Sequence, residues 1–106
     1  MTLYEAASQI GGQFNMAKKI PGKEEFGETL RYFTKQLELT GVTVCLDQKV
    51  SADDLAEGGF DMVLLATGVH PRQISLPGID HPMVLSYIDV LRGGAQVGKR
   101  LSLIHI

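Results

Sequence analysis

The sequence has no tryptophan and a single cysteine, Cys45, so neither an internal disulfide nor a thiolate cluster can staple it. No apolar run approaches the length that spans a bilayer, and no signal peptide follows Met1. Charge of one sign is not in excess: 10 Lys and Arg face 12 Asp and Glu, a net charge of −2. The basic residues do not cluster either, which excludes a nucleic-acid footprint. The three histidines, His70, His81 and His105, have no metal-ligand spacing. No Ser, His and Asp set appears in recognisable context, so no catalytic residue is assigned. With 106 residues the chain has length for one small domain, and its composition suits a soluble cytoplasmic enzyme.

What is present begins with Phe60–Ala66, a nearly unbroken apolar run. A strand buried on both faces of a parallel sheet reads this way, because helices cover both sides. Ala66-Thr67-Gly68 then stops it in small residues, which let backbone approach a ligand at the carboxyl end of a strand. Earlier, Met1–Glu5 reads as a strand closing on an acidic residue, ahead of Ile10-Gly11-Gly12-Gln13. A carboxylate at the end of a second strand accepts hydrogen bonds from a ribose diol in dinucleotide folds. A solvated strand-end charge is the alternative for Glu5.

Between these stretches lies a helix. Lys23-Glu24-Glu25 opens it with two carboxylates in the first turn, complementing the helix dipole. Phe26, Leu30, Phe33 and Leu37 form one apolar stripe, which reads as core packing, and Gly41 ends the helix as the residue past its cap. The expected span is 24–40. Residues 13–20 read as irregular, Val42–Leu46 as a strand with Cys45 a small core residue, and Lys49–Ser51 as a short extended piece. Ser51 with Asp54 has the shape of a capping box for a small helix over 53–57. Residues 68–82 are rich in Gly and Pro and read as a crossover loop. Met83–Ser86 reads as a short strand, 89–91 as helical, and 96–106 as a final strand.

The Gly-x-Gly-x-x-Gly turn that seats a pyrophosphate on a helix N-terminus is absent; Gly11-Gly12, Gly58-Gly59 and Gly93-Gly94 lack the spacing. The expected fold is therefore α/β: a partial Rossmann-like FAD/NAD(P)-binding domain with a parallel sheet, its first βα unit missing. The chain reads as part of a longer protein.

Leu-Ala-Thr-Gly-Val-x-Pro-Arg resembles the Ala-Thr-Gly motif of two-dinucleotide-fold flavoproteins. With Leu-Tyr-Glu-Ala, Ile-Gly-Gly-Gln-Phe-Asn, Ile-Pro-Gly-Lys-Glu-Glu-Phe and Val-Leu-Ser-Tyr-Ile-Asp-Val-Leu-Arg, residues 2 to about 100 resemble the bacterial NADPH-dependent 2,4-dienoyl-CoA reductase family. These are old-yellow-enzyme-type multi-cofactor flavoproteins. The resemblance implies FAD at this segment, with NADPH, FMN and a 4Fe-4S cluster serving the whole enzyme. Partners would be dinucleotide cofactors and the remaining domains of the same enzyme, with no nucleic acid and no membrane. By matching position, Glu5 would bind the FAD ribose, and Gly12 and Gln13 would lie along the cofactor. Lys23 would offer a cation near the phosphate-ribose region. Val50 would meet the adenine, and Ala66, Thr67 and Gly68 would approach the flavin side. Val50 also reads as an ordinary buried valine, and Arg72 as a surface charge or a weaker site candidate.

The same resemblance divides the chain into 1–80, a partial FAD-binding domain, and 81–100, a crossover and the start of an NAD(P)-binding domain. Residues 101–106, Leu-Ser-Leu-Ile-His-Ile, depart from the family pattern and match the in-frame translation of a sequencing adapter, so they read as a non-native tail. Two alternatives remain open. One is another reductase of the superfamily, enoate reductase or trimethylamine dehydrogenase-like; the other is a non-catalytic nucleotide-binding or interaction module.

Overall fold

The computed structural model describes residues 1–103 and divides the chain into two compact units, 1–70 and 71 onward. In the first unit, strand β1 (Thr2–Tyr4) leads through a short helix α1 (Phe14–Ala17) to the long helix α2 (Phe26–Leu39). Strand β2 (Thr43–Cys45) and helix α3 (Ala52–Glu57) follow. β1 and β2 pair in parallel, with Thr2 opposite Thr43, Leu3 opposite Val44 and Tyr4 opposite Cys45. A parallel neighbour reached through a helix is the βαβ arrangement that the sequence pattern implies.

The expected helix over 24–40 is present as α2. Its apolar stripe places Leu30 and Leu37 half-buried toward the sheet, and its end follows from Gly41. The Gly41 amide donates to the Glu38 carbonyl and the Val42 amide to that of Leu37. This pair of bonds is a Schellman motif, and Gly41 adopts the left-handed φ of 68° that the motif requires. On the exposed face Arg31 pairs with Glu28 and Lys35 with Glu38, three residues apart in each case. Solvated pairs of this kind add little stability.

Four expectations are corrected. Residues 13–20 are not irregular throughout, since 14–17 turn as α1 around Met16. Met83–Ser86 is not a strand: the Val84 amide closes a turn onto the His81 carbonyl, and Ser86 caps a helix. Residues 96–103 form no strand, and 104–106 lie outside the described residues. The fourth correction is the largest. Residues 61–66 are not in a strand and are not buried: Met62 is 87% exposed and Leu64 88%. A strand exists only with a hydrogen-bonded neighbour, and β1 and β2 pair only with each other among the described residues. Phe60 alone reaches the sheet, its ring edge-on to Tyr4 at 6.4 Å.

The core is correspondingly thin. Met16, 5% exposed, is the one buried apolar residue among those described, and Cys45 is half-buried. Gly11 makes part of this packing possible: a β-carbon there would sit 2.3 Å from Leu30 Cδ2 on α2, and its φ is 112°. The second unit holds α4 (Tyr87–Leu91), which lies in the region expected to be helical and starts two residues earlier.

Helices α3 and α4 begin identically. The hydroxyl of Ser51 accepts from the Asp54 amide while the Asp54 carboxylate accepts from the Ser51 amide, and Ser86 with Asp89 repeats the box. Hydrogen bonds from the serine hydroxyl, then from its amide, hold the Asp54 and Asp89 carboxyls below their ordinary value of 3.8. A depressed native pKa means that the boxes contribute fully above pH 3.8 and lose their contribution as pH falls through the lowered values. Carboxyl-carbon NMR titration should give midpoints for Asp54 and Asp89 below 3.8, and Ser51→Ala and Ser86→Ala should each return its partner toward that value.

Candidate functional site

Because β1 and β2 run in parallel, their carboxyl ends open on the same edge of the sheet, the edge where open α/β sheets bind ligands. Glu5 follows β1 directly. Its amide donates to the Cys45 carbonyl at 2.9 Å, and its carbonyl accepts from the Gln48 amide at 3.0 Å. The Asp47 amide donates to the Ala7 carbonyl at 2.9 Å. Asp47 takes a left-handed φ of 54°, which a short carboxylate side chain tolerates better than most, and so turns the chain sharply after β2. These bonds lace the loop after β1 to the loop after β2.

The Glu5 side chain is set within this lacing. Its Oε1 accepts from the Ala7 amide at 2.9 Å, which fixes the carboxylate. Its other oxygen has no hydrogen-bond partner among the described residues and can accept from a ligand hydroxyl. Three residues beyond Asp47, Val50 is half-buried. Its N–H and C=O are unpaired among the described residues, so its main chain is available to a planar base edge. The structure thus brings Glu5 and the 47–50 turn to one edge.

Gly12 and Gln13 lie on the loop that leads from β1 into α1. Gly12 is exposed at a φ of 46°, and nothing lies within 4 Å of where its β-carbon would be, so the backbone there is open to a ligand. Gln13 precedes α1, and its side chain makes no capping bond. Lys23 is exposed in the turn before α2, with its amide on the Ile20 carbonyl and no salt-bridge partner among the described residues. Ala66, Thr67 and Gly68 are exposed, Gly68 at a φ of 76°, and no hydrogen bond joins them to the Glu5 edge among the described residues. Arg72 belongs to the second unit and is exposed.

Two residues escaped the sequence reading. Gly11, not only Gly12, is the glycine that close approach demands, and its signal was the Gly-Gly pair itself. Asp47 carries the turn that ties the two loops; an Asp after a β-branched strand is the weak cue that marked it. No group of His, Cys, Asp and Glu able to hold a metal occurs among the described residues, and no described helix is long and apolar enough to cross a membrane.

No family model matches the chain. It is 37% identical over 109 residues to an N,N-dimethylglycine/sarcosine dehydrogenase of Chromohalobacter salexigens, covering 95% of this chain and 15% of that protein. A cinnamate reductase of Clostridium sporogenes is 31% identical, with 98% of this chain and 15% of that protein covered. Among solved structures, a 2-naphthoyl-CoA reductase bound to 2-naphthoyl-CoA superposes with a TM-score of 0.84 at 30% identity, over 92% of this chain and 15% of that one. The chain spans about 15% of the length of these relatives. Its homologues are old-yellow-enzyme-like FAD/NAD(P)-dependent reductases.

Proposed function

We propose that this chain is part of the FAD-binding region of a flavin-dependent oxidoreductase that uses NADPH to reduce a 2,4-dienoyl-CoA in unsaturated fatty acid β-oxidation. The single observation that carries the reading is the laced edge at Glu5. A fixed carboxylate with one open oxygen stands beside a turn with open main-chain groups, in a chain whose homologues are flavin-dependent reductases.

The residues present fit the dinucleotide. Glu5 would hold the ribose hydroxyls, Val50 the adenine edge through its main chain, and the Gly12-Gln13 loop the length of the cofactor. Lys23 would face the phosphate-ribose region, and Ala66-Thr67-Gly68 would allow close approach on the flavin side once residues 61–66 are paired. When bound, FAD supplies the capacity to take up a hydride and release single electrons, which an iron-sulfur cluster and FMN elsewhere in the protein would use. The residues of this chain bind and orient; none handles a proton of the substrate. In this reading 1–80 is a partial FAD-binding domain, 81–100 leads to an NAD(P)-binding domain, and 101–106 is a non-native tail. Its partners would be the remaining domains of the same cytoplasmic enzyme.

The 2-naphthoyl-CoA reductase supports a CoA thioester as substrate, since the 2-naphthoyl-CoA bound in it is one. A second reading rests on the 37% identity to a dimethylglycine/sarcosine dehydrogenase: an N-methyl amine would then be oxidised instead. NADPH consumption by the full-length protein with a 2,4-dienoyl-CoA, against reduction of its flavin by sarcosine, separates the two.

Glu5→Gln in the full-length protein keeps the shape and removes the charge. Charge-assisted hydrogen bonds contribute on the order of 1.5–3 kcal/mol, so FAD affinity should fall roughly tenfold or more. Unchanged FAD content would remove Glu5 from the site. The 106-residue chain alone should not bind FAD, because the glycine turn that clamps a pyrophosphate is absent from it. Flavin fluorescence polarisation with excess FAD, together with a thermal melt, measures this; a cooperative melt raised by FAD would contradict it.

A further inference from the structure

The flank of α2 beside β2 forms a cleft of about 480 Å³. Small-molecule sites run from roughly 300 to 1,000 Å³ and are mostly apolar, with a few placed polar groups. Here the floor is apolar. Val42, Val44 and Leu46 alternate along the line of β2 and so share one face of it, and Leu30 and Leu37 meet them from α2. Three charged side chains stand in the wall, Lys18, Arg31 and Glu38. Two of them are already neutralised, Arg31 by Glu28 and Glu38 by Lys35. Lys18 has no carboxylate partner among the described residues. It is nevertheless held in place. Asn15, one helical turn earlier, donates through Nδ2 to the Ile10 carbonyl at 2.9 Å and accepts through Oδ1 from Lys18 Nζ at 3.1 Å. Both side chains are half-buried. An ammonium carries three donors, so two remain for a ligand.

We propose that this cleft binds a small carboxylic acid with an apolar body, its carboxylate on Lys18 and its hydrocarbon along Val42, Val44 and Leu46. Charge selects the head group. One unpaired cation matches a monoanion, whereas the second charge of a phosphate monoester would stand against the Glu38 carboxylate in a wall with no further unpaired cation among the described residues. The floor selects the rest of the ligand. Acetate would leave the three β2 side chains uncovered, and each methylene laid over them adds affinity. An alcohol of the same length gains that burial without the charge-assisted bond, and an ammonium meets Lys18 as a like charge. None of the residues assigned to FAD lines the cleft, so the inference goes beyond the flavin reading and does not rest on it.

The test titrates the full-length protein, as purified, with octanoate, octan-1-ol, octylammonium and acetate in a calorimeter. Octanoate should fill one site at least about tenfold more tightly than octan-1-ol or acetate, and octylammonium should not bind there. Lys18→Gln should remove about tenfold of the octanoate affinity and leave octan-1-ol unchanged, while Lys18→Arg should keep the preference for the acid. Thr34, exposed on α2 and lining the cleft, offers a second variant: Thr34→Phe puts a ring into the space and should weaken octanoate and octan-1-ol alike. The visible flavin absorbance per protein should match the parent in all three variants. No octanoate binding, octanoate bound no better than octan-1-ol, affinity unmoved by Lys18→Gln or by Thr34→Phe, or flavin lost from Lys18→Gln together with octanoate binding would each overturn the proposal. A full-length protein that holds no FAD yet binds octanoate through Lys18 would sink the cofactor reading alone.

Discussion

A β-strand is an element only by virtue of its neighbour, and the one ladder among the described residues, β1 against β2, organises everything around it. It sets the parallel direction, and the tight Schellman ending of α2 delivers the chain back to that direction within a few residues. It also leaves a deficit. Residues 61–66 have the composition of a central strand and the exposure of a loop, because the neighbour against which they would be buried is not among the elements present. Even-handed apolar patterning, without a polar face, makes sense only inside a sheet flanked on both sides. The thin core, with Met16 alone buried among the described residues, follows from the same lack.

The candidate site depends on the ladder in a second way. Parallel strands place successive loops side by side, so that Glu5, after β1, is bonded to Gln48, in the loop after β2, although more than forty residues separate them. The backbone does most of the positioning: the Cys45 carbonyl, the Gln48 amide and the Ala7 amide each hold part of Glu5 or its side chain. A ribose diol and an adenine edge are the pair of groups that such an arrangement of one carboxylate and one open main-chain segment suits. The Ala66-Thr67-Gly68 turn has small side chains and a left-handed Gly68, and no hydrogen bond joins it to the Glu5 edge among the described residues.

How far the sequence could be read follows from which interactions are local. Helix α2 was legible because its stripe and Gly41 are properties of one segment, and the Ser51–Asp54 box because it closes within four residues. β1 and β2 were legible as strands, and their parallel pairing followed from the intervening helix. The strand at 61–66 was misread as formed because apolar composition announces a buried destination and not the presence of a partner. Met83–Ser86 failed for a different reason: Ser86 and Asp89 compete for the same backbone as a helix start, and a capping box outweighs three residues of strand propensity. Among the candidate residues, Glu5 was singled out as a carboxylate at a strand end and Val50 through the family resemblance, while Asp47 was missed because a left-handed residue other than glycine leaves little trace in sequence.

The central proposal is that residues 61–66 carry the composition of a sheet strand and take up that position only when a neighbouring strand is supplied. Amide hydrogen exchange measures this directly, in the 106-residue chain and in the full-length protein. In the short chain the amides of 61–66 should exchange at nearly the rate of an unstructured peptide, while those of α2 are slower; in the full-length protein they should become among the most protected. Equal and rapid exchange of 61–66 in both would contradict the account, and would make that stretch a loop.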